Sequence, residues 1–154
     1  MAVGDYCRRE PASVAQDASV RDAAKRMDEL AVGCLVVVDA KDRPVGLLTD
    51  RDVVLRVLRR RRNPERTAVR EVMNDDIVTV RESAPLVLAI RNLRRDGVRR
   101  MPVVDDRGAL TGIISADDAL QLVSSQLAEV SETVRAQFPA DLRGEHALGA
   151  TAGE

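Results

Sequence analysis

Aromatic side chains are nearly missing from this 154-residue chain: it has no Trp, one Tyr (Tyr6) and one Phe (Phe138). A core must then be built from Val, Leu, Ile, Ala and Met, and binding of single-stranded nucleic acid loses its stacking platforms. Histidine is as scarce. His146 stands alone, which excludes a His-based catalytic triad and a multi-His metal site. The two cysteines, Cys7 and Cys34, are too few for a disulfide framework or a zinc site. Cys34 opens the run "CLVVV" and is expected to be a small buried hydrophobe. The Asp pairs at 75–76, 105–106 and 117–118 do not read as magnesium sites, because adjacent strand residues point to opposite faces. Neither sign of charge prevails, with 24 basic residues against 25 acidic and a net charge of −1, so nothing global attracts nucleic acid or a membrane. No apolar run approaches the ~18 residues of a membrane span, and "MAVGDYCRREPASV" lacks the basic and apolar regions of a signal peptide. The expectation is a soluble cytoplasmic protein without metal.

What the chain does have is a repeat. Shifted by 66 positions it falls on itself without a gap: Val14 meets Val80, Ala23 meets Ala89, Gly46 meets Gly112 and Asp52 meets Asp118. The match reaches back to "DYCRREP" against "EVMNDDI". This is a duplication.

Each copy has the same local grammar. Val20, Ala23, Ala24, Met27 and Leu30 recur at helical spacing, with Ser19 as the N-cap. Leu86, Ala89, Ile90 and Leu93 repeat the pattern, with Pro85 at the helix start. The runs "CLVVVD" and "MPVVDD" read as buried strands, and turns lead to the strands "VGLLT" and "LTGIIS". The helices "DRDVVLRVLRR" and "ADDALQLVSSQL" close the copies. About fifty residues bury too little surface to stand alone. The predicted fold is therefore α/β, two β-α-β-β-α repeats packed sheet to sheet with pseudo-twofold symmetry. The expected divisions are repeat 1 at 3–62, a linker at 63–68, repeat 2 at 69–124, a helical extension at 125–138 and a disordered tail at 139–154.

The strand ends "GLLTDRD" and "GIISADD" carry the candidate chemistry. Thr49 and Ser115, each with Asp three residues later, fit a reciprocal helix cap. The same geometry offers helix N–H groups to a phosphate and a carboxylate to a ribose diol. Capping does not explain the glycine three residues before each hydroxyl.

The chain resembles a tandem pair of CBS domains, the regulatory modules named for cystathionine β-synthase, joined in a Bateman module of the stand-alone prokaryotic type. The resemblance spans residues 3–124 and rests on "VREVMNDDIVTV", "VRRMPVVDDRGALTGIIS", "GLLTDRD" and "GIISADD". It implies a non-catalytic sensor that binds AMP, ADP, ATP, an NAD-type dinucleotide or S-adenosylmethionine in clefts between the repeats. The hydroxyl residue would contact phosphate and the aspartate ribose. One cleft would hold Thr49, Arg51 and Asp52, with Asp76, Ile77, Val78, Val98, Arg99 and Arg100 from the opposite repeat. The other would hold Ser115, Asp117 and Asp118, with Pro11, Ala12, Val32, Gly33 and Cys34.

Arg51 and Arg99 favour a phosphorylated ligand at the Asp52 cleft, where the other cleft has Asp117 and Gly33; stronger binding is expected at Asp52. Val36, where repeat 2 has Pro102, departs from the motif. The run Arg59–Arg62 suits a helix C-terminus. Leu120, Val123, Leu127, Val130 and Val134 step by three and four, a short seam that could pair across the homodimer the resemblance implies. Signalling would then pass to an unidentified effector protein or through self-association. Nothing assembles a nucleophile with a base, so an enzyme is not expected. The competing reading is a nucleic-acid binder using the Arg-rich segments, against which near-neutral charge and missing aromatics count.

Overall fold

The computed structural model describes residues 1–137; the tail expected at 139–154 lies outside them. The order is β1 (Arg8–Arg9), β2 (Ser13–Ala15), α1 (Val20–Glu29), β3 (Cys34–Val38), β4 (Pro44–Thr49), α2 (Asp50–Asp52), β5 (Val80–Arg81), α3 (Leu86–Arg95), β6 (Arg100–Val104), β7 (Leu110–Ser115) and α4 (Ala116–Gln137). A compact unit, Met1–Ala119, holds both repeats, and a second unit begins at Leu120 within α4. No helix among the described residues is long and apolar enough to cross a membrane.

The duplication is visible in the pairing. Val14 pairs with Val37 in parallel, as Val80 does with Val103; Leu35 pairs with Leu48 antiparallel, as Met101 does with Ile114. Leu35, Val36 and Val37 are all fully buried, as are Met101 and Val103. A run buried on both strand faces needs cover on both sides. Leu35 and Val37 join Val20, Ala23 and Met27 of α1 in one core, while Val36, between them, lies on the opposite face. Ala24 and Leu30, assigned to the same helical stripe, are exposed. Ser19 caps α1 as expected, its Oγ accepting from the Asp22 N–H at 3.1 Å.

The repeats interlock through their leading segments. Val3 N–H donates to Ala84 O and Val69 N–H to Ala18 O, the same bond exchanged between copies. Val69 and Val72 accordingly sit in the core of the first repeat. β1 carries the exchange further. It pairs antiparallel with β7, giving a four-stranded sheet β1-β7-β6-β5 beside the three-stranded β2-β3-β4.

The helix predicted at "DRDVVLRVLRR" is only partly α. After one turn it widens into a π-helix, Val53–Leu58, with Arg59 N–H bonded to Val54 O and Arg62 N–H to Val57 O. Val57 is fully buried while Val54, Leu55 and Leu58 are exposed. Short π segments survive where tertiary contacts compensate their poorer ladder. Here Val57 supplies packing, and Arg56 supplies two hydrogen bonds described below.

Candidate functional site

The glycines of the paired motifs have a steric explanation. A Cβ at Gly112 would stand 2.6 Å from Cys7 Sγ and 3.0 Å from Arg8 O. At Gly46 it would stand 2.4 Å from Met73 Sδ and 2.9 Å from Asn74 O. Each glycine therefore lies under the leading segment of the other repeat, where a side chain would block the backbone. That contact sets one wall of each cleft.

The hydroxyl–aspartate pairs form the same reciprocal cap twice. Asp118 Oδ2 accepts from Ser115 N–H at 2.9 Å and from Ser115 Oγ–H at 2.6 Å, while Asp118 N–H donates to Ser115 Oγ at 3.0 Å. Asp52 Oδ2 accepts from Thr49 N–H at 3.0 Å and Thr49 Oγ1–H at 2.6 Å, and Asp52 N–H donates to Thr49 Oγ1 at 3.2 Å. The cap uses one carboxylate oxygen and leaves the other for something else.

What surrounds that second oxygen differs. Asp118 Oδ1 has no partner among the described residues, and Asp118 is one of the residues lining a cavity of about 960 Å³, at the upper end of the ~300–1,000 Å³ usual for small-molecule sites. The structure gathers there Pro11, Ala12, Val32, Gly33, Cys34, Ser115, Asp117 and Asp118, the set named for that cleft from the sequence. It adds residues that sequence reasoning did not name, among them Arg8, Arg26 and Asp42. Arg8 could have been suspected only by knowing that β1 joins the other repeat's sheet. The cavity thus sets Arg8, Arg26 and Arg100 among the carboxylates of Glu10, Asp42, Asp117 and Asp118.

Arg100 also lines this cavity, although the sequence placed it with Asp52. The reason is symmetry: Cys34 and Arg100 are equivalents at the 66-residue offset, and they contact one another. Burial raises the Cys34 thiol pKa, and the adjacent Arg100 guanidinium pulls it back. Cys34 is half-buried rather than the buried hydrophobe expected; Cys7 is the buried cysteine. As the first residue of β3, Cys34 stands at the cleft, whereas Cys7 is closed under Gly112.

At the other cleft Asp52 Oδ1 lies 3.4 Å from Arg56 Nε. Arg56 Nη1 donates to Val72 O at 2.9 Å and Met73 O at 2.6 Å. Arg51 and Asp76 are exposed, and Ile77, Val78 and Val98 half-buried. Arg99 is exposed, its Nη2 3.5 Å from Asp117 Oδ2. Hydrogen-bond geometry across the clefts also differs. Val36 N–H holds Ala12 O at 2.9 Å, but its equivalent Pro102 has no N–H for Val78 O. Leu110 N–H holds Asp42 O at 2.9 Å, but its equivalent Pro44 again has none.

Residues 3–59 and 69–125 each match the family model described as CBS domain. The chain is 32% identical over 135 residues to an uncharacterized protein of Methanopyrus kandleri, covering 88% of this chain and 69% of that one. It is 32% identical over 109 residues to an inosine-5'-monophosphate dehydrogenase of Methanocaldococcus jannaschii, covering 71% of this chain but 21% of that enzyme. A CBS domain protein from Pyrobaculum aerophilum, solved complexed with AMP, superposes with a TM-score of 0.67 at 27% identity, over 77% of this chain and 89% of that one. CBSX2, solved in complex with AMP, superposes with a TM-score of 0.67 at 29% identity, over 80% of this chain and 96% of that one.

Proposed function

This chain belongs to the CBS-domain family as a tandem pair of such domains, and from that premise we propose that it is a non-catalytic regulatory module for an adenosine-containing nucleotide. The observation that carries the reading is the cavity lined by both repeats, with Asp118 in its wall. Asp118 would accept the ribose hydroxyls, Ser115 and the N-terminus of α4 would meet the phosphate, and Arg8 or Arg100 would balance its charge. Pro11, Ala12, Val32 and Gly33 would enclose the base. AMP complexes of the two related structures support this ligand class.

The sequence favoured the Asp52 cleft. We propose the reverse preference, because Asp118 keeps a free oxygen and Asp52 does not. We keep Thr49, Arg51, Asp52, Asp76, Ile77, Val78, Val98 and Arg99 as the proposed residues of a second, weaker site. A ligand in the cavity would touch both repeats and so resist their separation, the change of state that a partner protein or a homodimer would read. The exposed seam of α4, from Leu120 to Val134, is a surface on which such self-association could rest.

Calorimetry with AMP and ATP tests the reading. Asp118→Ala should weaken binding about 10- to 100-fold, as the loss of hydrogen bonds to a charged group does, while Asp52→Ala should leave it nearly unchanged. Equal losses would remove the proposed preference, and no binding of any adenosine compound would remove the function. Light scattering with and without AMP measures whether association changes.

A further inference from the structure

Arg56 is the residue that distinguishes the two caps, and its role deepens the reading just proposed. The cap itself is built the same way in both clefts. Asp52 Oδ2 sits in the same cap as Asp118 Oδ2. Val78 O is left without the strand bond that Val36 N–H makes to Ala12 O, since Pro102 has no N–H to give. Arg51 is exposed. The second oxygen of Asp52, unlike that of Asp118, is paired, and the group pairing it comes from this chain.

Four residues after Asp52, Arg56 lies on the π-helical turn, and four residues after Asp118 stands Leu122, which carries no charge. Arg56 is held from three directions: Val72 O at 2.9 Å, Met73 O at 2.6 Å and the Asp52 carboxylate at 3.4 Å. Two carbonyl bonds fix the guanidinium and lower the entropy lost in keeping it on Asp52. Met73 is also the residue lying over Gly46, so the same clasp pins the wall segment. A diol approaching Asp52 must displace the Arg56 ion pair before it can use both oxygens. A diol approaching Asp118 displaces none from the described residues.

We infer that Arg56 is an internal latch on the Asp52 cleft, occupying the ribose-binding carboxylate so that the chain takes one nucleotide rather than two. The inference rests on the proposed nucleotide function, and the test separates the two.

AMP titration by calorimetry should give one equivalent per chain for the wild type, abolished by Asp118→Ala. Arg56→Met keeps the apolar stem without the charge and should add a second equivalent, which Asp52→Ala in the same background removes. Arg56→Leu installs the residue found at the equivalent position 122. It should also bind two equivalents, so that the gain follows the lost cation and not the shape of one replacement. One equivalent in both variants, with the Asp118 site intact, overturns the latch and leaves the function standing. Two equivalents in the wild type overturn it as well. No AMP bound by the wild type overturns the function and the latch together.

Discussion

Asp52 and Asp118 end the same motif in the same cap, at the same distance from the same glycine, yet their surroundings diverge through a few residues. Around Asp118, β1 pairs with β7, Val36 N–H holds Ala12 O, and Leu110 N–H holds Asp42 O of the turn between β3 and β4. Around Asp52 the corresponding segment makes a single bridge, Asn74 to Leu47, and prolines at 44 and 102 delete the other two donors. Arg56 then fills part of the space by holding both the segment and the aspartate. A duplicated fold thus retains two clefts of one plan that differ through three side chains, Pro44, Pro102 and Arg56.

The comparison can be strained first through the core. Leu35 and Met101 are equivalents and both fully buried, so Leu35→Ala and Met101→Ala should each cost about 2–5 kcal/mol. Because the leading segments are exchanged, both should shift one common urea transition rather than unfold their own half. Two separable transitions, followed by circular dichroism, would mean that the halves are independent.

A smaller effect is expected where each segment crosses its glycine. Gly112→Ala and Gly46→Ala should destabilise by about 1–3 kcal/mol, the range for overpacking. At Gly46 the closest atom is the flexible Met73 Sδ, with Asn74 O behind it at 2.9 Å, so adding Met73→Ala should recover only part of the loss. Full recovery in the denaturation midpoint would show that backbone crowding at Asn74 is not limiting.

The smallest contrast is at the helix starts. Ser19 caps α1 through its side chain, whereas its equivalent Pro85 makes no side-chain cap on α3. Ser19→Ala should cost about 1 kcal/mol, and Pro85→Ala should cost less. Similar thermal shifts for the two would show that the cap is not what sets these helices apart.

Much of this was legible in the chain. The 66-residue offset predicted both sheets, and the alternation of strand and helix followed from periodicity and turns. Part of the lining of the cavity around Asp118 stands in motifs and was named from them, whereas Arg8, Arg26, Asp42 and Arg100 were not named for it. Other features left no such trace. The side on which Arg100 falls depends on a strand-to-strand contact across the pseudo-twofold, where Cys34 meets its own equivalent. The π turn at Val53–Leu58 looks like any amphipathic helix in one dimension, since its apolar spacing is compatible with either ladder.

By itself the sequence determined that the protein is a duplication, where its strands and helices lie, and that each copy ends in a capped aspartate. These depend on neighbours a few residues apart, which is the range over which periodicity and capping act. The tertiary structure alone decided that β1 belongs to the other repeat's sheet, that Gly46 and Gly112 lie beneath crossing backbone, and that Arg56 reaches Val72 O and Met73 O. Those contacts join residues 16 to more than 100 positions apart, and their energies depend on distances that no local pattern encodes.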